Sequence, residues 1–92
     1  MLQPVYTKQF NRDVKSIQKS GSKDIEKLKE VIKILIEGEK IDPSYRDHPL
    51  KGNFKDRREC HIKPDWLLVY KIVKDEKIII FERTGSHSDI FG

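Results

Sequence analysis

Cysteine occurs once, at Cys60, so the chain can form no internal disulfide, no CxxC redox pair and no two-cysteine zinc knuckle. No apolar run approaches the ~20 residues that a membrane-spanning helix requires. Met1-Leu2-Gln3-Pro4 carries no basic segment followed by an apolar stretch, so a cytoplasmic protein away from the membrane is expected. Phosphate-cradling and nucleophile-elbow signatures are missing too: there is no GxGxxG, no P-loop and no GxSxG, and hence no sign of a small-molecule cofactor. Repeats, Gly/Ser linkers and low-complexity tracts are absent. The 92 residues therefore read as one domain, 1–92, able to bury roughly 65% of its unfolded surface around a modest core.

Charge is abundant. Lys and Arg number 19 against 15 Asp and Glu, a net +4, which hints at a polyanionic partner. The excess is concentrated between Arg46 and Lys63, where six basic residues (Arg46, Lys51, Lys55, Arg57, Arg58, Lys63) face three acidic ones (Asp47, Asp56, Glu59). His48 and His61 share this stretch.

The pattern places helices first and strands afterwards, an α+β order. Val5 and Tyr6 suggest a short leading strand. Thr7 can cap a helix over 8–20 whose apolar face is Phe10, Val14 and Ile17, with Gly21 as a left-handed stop. After Ser22, a candidate cap, Ile25, Leu28, Val31, Ile32, Leu35 and Ile36 form a second stripe ending near Gly38. From Ile41 to Lys55, Pro43, Pro49 and Gly52 break any period, and a loop is expected. Residues 57–63 alternate: Arg58, Cys60 and Ile62 point one way, Arg57, Glu59, His61 and Lys63 the other. After a Pro64-Asp65 turn, Trp66 to Val73 is an apolar run expected for a central strand, and a short hairpin leads to a strand over Ile78–Arg83. The tail from Thr84 is polar until Ile90 and Phe91.

All three histidines, His48, His61 and His87, fall in loops or on a polar strand face, with Glu59, Asp65 and Arg83 nearby in sequence. Antiparallel pairing of the last three strands would bring the His61 face toward the exit of the Arg83 strand, where His87 follows. Imidazoles titrate near neutrality, so two of them flanking a phosphodiester can act as general base and general acid. RNA supplies its own nucleophile, the 2′-hydroxyl, and a guanidinium can steady the charge that develops on phosphorus. The same histidines suggest zinc, but their spacing is not that of helix-borne ligands and the surrounding lysines and arginines repel a dication, so no metal is expected. Strand parity turns Cys60 toward the core, away from nucleophilic work. Trp66 and Phe91 can stack on bases; Trp66 opens an apolar strand and reads better as core, whereas Phe91 has little to pack against unless a groove or a ligand receives it.

Tyr45-Arg46-Asp47-His48-Pro49-Leu50-Lys51-Gly52, then His61 with Pro64-Asp65-Trp66, then Tyr70-Lys71, and finally Phe81-Glu82-Arg83-Thr84-Gly85-Ser86-His87 with Ile90-Phe91-Gly92, form a pattern that resembles the YafQ branch of the RelE toxin superfamily across essentially the whole chain. The resemblance implies an α+β, RelE-like microbial ribonuclease fold: two N-terminal helices packed on a twisted, mainly antiparallel sheet of about four strands. It also implies a bacterial type II toxin, a metal-independent endoribonuclease that cuts mRNA in the A site of the ribosome and is neutralised by a cognate antitoxin protein. By position, His48, His61, Asp65, His87 and Phe91 match family residues implicated in cleavage, while Glu59 stands where the family has aspartate. The expected roles are His48 as base, His87 as acid, Arg83 at the phosphorane, His61 and Asp65 holding geometry, and Phe91 against a base. The converse assignment of His48 and His87 stays open. Lys51, Lys55, Arg57 and Lys63 are the expected RNA contacts, and an acidic, initially disordered antitoxin segment would suit the same positive face. Two other readings remain at this stage: a gyrase-inhibiting toxin of the ParE branch, and a non-catalytic RNA- or ribosome-binding module.

Overall fold

The computed structural model describes residues 1–21 and 23–92. Five strands, β1 (Gln3–Tyr6), β2 (His48–Pro49), β3 (Arg58–Lys63), β4 (Trp66–Val73) and β5 (Ile78–Gly85), form one sheet in the order β1-β5-β4-β3-β2. All neighbours are antiparallel except β1, which lies parallel to β5. The sheet has one strand more than the four expected. The addition, β2, is a two-residue pairing inside the expected loop, too short to leave a periodic signal.

Helix α1 (Lys8–Ser20) has the predicted limits. The Thr7 hydroxyl oxygen accepts from the Phe10 amide at 3.0 Å, and the hydroxyl donates to the Glu82 carbonyl at 3.0 Å, so one side chain caps the helix and ties it to β5. Gly21 closes it with φ 64°, a conformation glycine enters without a steric penalty. Helix α2 (Ile25–Ile36) starts from Asp24, whose carboxylate accepts from the Glu26 amide. The expected cap Ser22 lies outside the described residues.

Phe10, Ile17, Leu28, Val31 and Leu35 of the two helices pack with Cys60, Ile62, Trp66, Leu68, Tyr70, Ile79 and Phe81 of the sheet. This is the main core. Trp66 is within it, as its place at the head of an apolar strand suggested, and its indole donates to the Thr84 hydroxyl at 2.9 Å. A second, smaller cluster forms from Leu67 and Val69 with Ile90, Leu50 and Phe91. Because side chains alternate along β4, these residues line the face away from the helices. They form the floor on which the polar residues converge.

A third helix, α3 (His87–Phe91), occupies the tail that the composition left as polar. It is set by a capping box: the Ser86 hydroxyl accepts from the Asp89 amide at 3.1 Å and the Asp89 carboxylate from the Ser86 amide at 3.0 Å. Ile90, buried on the second cluster, supplies its packing.

Candidate active site

In the β2–β3 ladder His48 stands opposite Glu59, and His61 follows two residues later on the same face of β3. The structure brings these three together. His48 Nε2 is 3.2 Å and His61 Nε2 3.4 Å from the same Glu59 oxygen, Oε2, and the two rings lie 6.1 Å apart. Glu59 was expected on an exposed polar face, yet only 6% of it is accessible. The two imidazoles cover it.

The other ring nitrogens fix the proton bookkeeping. His48 Nδ1 lies 2.6 Å from the Arg46 carbonyl and His61 Nδ1 3.2 Å from the Pro64 carbonyl. A carbonyl oxygen only accepts, so each Nδ1 carries hydrogen and donates. A neutral ring of this tautomer turns its Nε2 lone pair, the basic atom, toward Glu59. His48, its side chain 46% accessible against 20% for His61, is the member that a substrate reaches more readily.

The second group lies across β4. Leu67 is partnered by His61 on one side and by Gly85 on the other, so the His61 rung leads to the residue two before His87, as antiparallel pairing predicted. Two strand spacings, roughly 10 Å, separate the two ends of that rung. At the far end the Asp65 carboxylate accepts a long, 3.4 Å hydrogen bond from the His87 amide, and the His87 ring packs against Phe91 at 4.9 Å. Phe91 also meets the edge of Phe54 at 5.0 Å, so the groove that receives it is built by the protein itself, from the Gly52–Phe54 turn and the Leu67/Val69 floor.

Two predicted residues have partners that the sequence did not announce. Arg83 Nε and Nη2 donate to the Asp13 carboxylate at 2.8 and 3.2 Å, and Nη2 also to the Asp89 carbonyl at 3.3 Å. Asp13 takes a third bond, from the Thr84 amide at 3.1 Å. Only Nη1 of the guanidinium has no acceptor among the described residues, so Arg83 joins α1, β5 and α3 with most of its donors. The Asp13 hydrogen bond raises the pKa of Arg83 further, against a smaller opposing effect of burial. Arg57 pairs with Glu82 at 2.8 Å, which makes it part of the structure rather than a free cation. Lys51, Lys55 and Lys63 are exposed, as expected.

Cys60, fully buried, has its thiol pushed up to about 12, mainly by burial, and so is no nucleophile. Sequence reasoning missed Asp47 and Tyr70. The Tyr70 hydroxyl donates to Asp47 Oδ2, while Arg58 Nε donates to Oδ1 at 2.7 Å and Nη2 lies 2.6 Å from the same oxygen in an ion pair. Burial first, and the Asp47 contact second, raise the pKa of Tyr70 far above its ordinary range.

The matches to known proteins follow this geometry. The family model described as the bacterial toxin of a type II toxin–antitoxin system, YafQ, matches residues 2–92. This chain belongs to the YafQ family. A curated YafQ relative from Escherichia coli K12, named an mRNA interferase toxin, is 44% identical over 88 residues, 95% of this chain and 92% of its own length. The YafQ structure in the E. coli DinJ–YafQ complex superposes with a TM-score of 0.90 at 41% identity, covering both chains fully. A metal-bound toxin from Helicobacter pylori gives 0.89 at 45% identity, over 99% of this chain and all of that one.

The grouping of possible metal-ligating side chains in this YafQ-family chain is not the set of three histidines weighed from the sequence. The described residues that converge as donors are His48, Glu59 and His61, with donor atoms all within 4.8 Å of one another; His87 is not among them. Histidine spacing in the chain said little, because β2 and β3 supply the proximity. A dication held there would occupy the same Nε2 and carboxylate atoms that acid–base chemistry would use.

Proposed function

We propose that the chain is an endoribonuclease that cleaves mRNA in the ribosomal A site by general acid–base catalysis, with the RNA 2′-hydroxyl as nucleophile. The observation that carries this reading is the convergence of His48 and His61 on the buried Glu59, with Gly85, two residues before His87, at the other end of the His61 rung. A gyrase-directed toxin or a simple RNA-binding module needs no such arrangement of proton carriers.

In this mechanism the more accessible His48 takes the 2′-hydroxyl proton through Nε2, with Glu59 stabilising the imidazolium that results. The freed oxygen attacks the adjacent phosphorus. Arg83, through its remaining Nη1, faces the developing charge, and His87 protonates the departing 5′-oxygen. His61 shares Glu59 and keeps that carboxylate in place. Asp65 steadies the amide of His87, and Phe91, with one ring face available beside His87 and Phe54, offers a platform to a base. Lys51, Lys55 and Lys63 meet the RNA backbone. A cognate antitoxin neutralises the toxin, in keeping with the DinJ complex of the E. coli relative.

The test is primer extension on a defined mRNA in purified translating ribosomes, with the wild type, His48→Ala, His87→Ala and a control without ribosomes. Cuts inside codons that weaken by about 100-fold or more in each variant are expected, and a bell-shaped pH dependence should accompany them. Cleavage of naked RNA at the same rate would remove the ribosome from the reading. Growth arrest without any cleavage would overturn the nuclease itself and direct attention to gyrase.

A further inference from the structure

Asp47 has no place in the chemistry above, yet both oxygens of its carboxylate are engaged. It accepts from Arg58 Nε through Oδ1 and from the Tyr70 hydroxyl through Oδ2, pairs with the Arg58 guanidinium as an ion, and only 11% of its side chain is accessible. Tyr70 is 2% accessible and packs in the main core, so the clamp reaches down to the helix-facing layer. His48, the next residue along an extended pair, projects to the opposite face. The clamp therefore does not touch the surface that RNA would occupy.

What it holds is the segment that aims His48. Arg46 sits in the left-handed region with φ 52°, a conformation that is strained for a residue carrying a side chain. Its carbonyl is the acceptor that sets the His48 ring through Nδ1. The strand that carries His48 is two residues long and exposed, with a single partner strand, and offers little restraint of its own. Asp47 lies between the strained residue and the imidazole, and its two incoming hydrogen bonds tie this segment to Arg58 of β3 and Tyr70 of β4.

We infer that Asp47, clamped by Tyr70 and Arg58, is a positioning residue for cleavage, holding the Arg46 carbonyl and the His48 ring in the geometry that leaves Nε2 available to the reacting hydroxyl. This rests on the role of His48 proposed above. A neutral, buried tyrosine and a permanently charged arginine keep the clamp closed through the neutral pH range, so the device is constitutive rather than a switch.

The experiment compares wild type, Tyr70→Phe, Asp47→Asn and His48→Ala, and each clamp variant combined with His48→Ala, by cleavage kinetics on programmed ribosomes and by imidazole nitrogen NMR of the free protein. Tyr70→Phe removes one oxygen and keeps the ring in the core, so it decides the matter should Asp47→Asn fail to fold. In the clamp variants kcat should fall about 10- to 100-fold with KM within about twofold. The His48 signals should lose the single Nδ1-protonated pattern, and no further loss should appear in the His48→Ala background. Wild-type kcat in a folded clamp variant, or an equal loss with and without His48, would overturn the inference. Full activity in His48→Ala alone would instead remove the role of His48, and the clamp's function with it.

Discussion

Replacing Asp13 by alanine should unsettle the active site from behind. This carboxylate accepts from Arg83 at two nitrogens and from the Thr84 amide, and it thereby joins α1 to β5 and, through Arg83, to α3. Thr84 is 2% accessible, so its amide would be left without an acceptor and out of reach of water, at a cost of about 1–3 kcal/mol. Arg83, with 26% of its side chain accessible, can partly rehydrate, and loss of the ion pair itself adds about 1 kcal/mol. The sum, about 2–4 kcal/mol, is a large part of the roughly 5–14 kcal/mol that a chain of this size holds. It corresponds to a fall in Tm of about 10–25 °C. The single tryptophan, buried against Thr84, reports the transition directly through its fluorescence in urea and in thermal melts. Asp13→Asn keeps an acceptor for the Thr84 amide and should recover about half of the loss. An Asp13→Ala protein that melts within about 3 °C of the wild type would refute this account of how β5 and α3 are held.

Other changes have equally definite consequences. Thr84→Val deprives both the Trp66 indole and the Leu67 carbonyl of their partner, at 2.9 and 2.8 Å, and should cost about 2–3 kcal/mol in urea unfolding; a loss below about 0.5 would contradict it. With its thiol raised from 9.0 to about 12, Cys60 should resist iodoacetamide at pH 8 until the chain unfolds; rapid stoichiometric labelling of native protein would refute its burial. Since the unfolded thiol ionises first, this group also makes stability fall as pH rises above about 9, by up to about 1.4 kcal/mol per pH unit. Asp89 is held below its ordinary 3.8, chiefly by the Ser86 amide. Its contribution to α3 is complete above that value and disappears as pH falls through the lowered one, so the protection of the Ser86 and Phe91 amides, relative to their intrinsic exchange rates, should fall on acidification. Asp89→Asn should abolish that pH dependence.

Long elements were legible in the sequence because their periods are. The stripe of Phe10, Val14 and Ile17 between Thr7 and Gly21 gives α1 to the residue, and the apolar run from Trp66 gives β4. Two-residue β2 and five-residue α3 are too short for a period to repeat and left no such trace, although Ser86 and Asp89 carry the capping-box spacing that announces α3. The histidines were identifiable as chemistry by type and by family resemblance. Their arrangement was not, since the burial of Glu59 depends on a pairing between residues 48 and 59 made by that undetected strand. Asp47 with Tyr70, and Asp13 with Arg83, meet across 23 and 70 positions, and no local pattern encodes such contacts.

The parallel pairing of β1 with β5 has a bearing on how the chain acquires its shape. Gln3 meets Ile78 almost a full chain length later, and closing so long a loop costs entropy before any contact compensates for it. Such topologies fold slowly, and their non-local pairings form late. During synthesis the first strand and the helix hairpin have no sheet to rest on until β3, β4 and β5 have been made, and β5 leads directly into His87 and Phe91. The face that carries His87 and Phe91 is therefore assembled only once the last strand has slid between the first and the fourth.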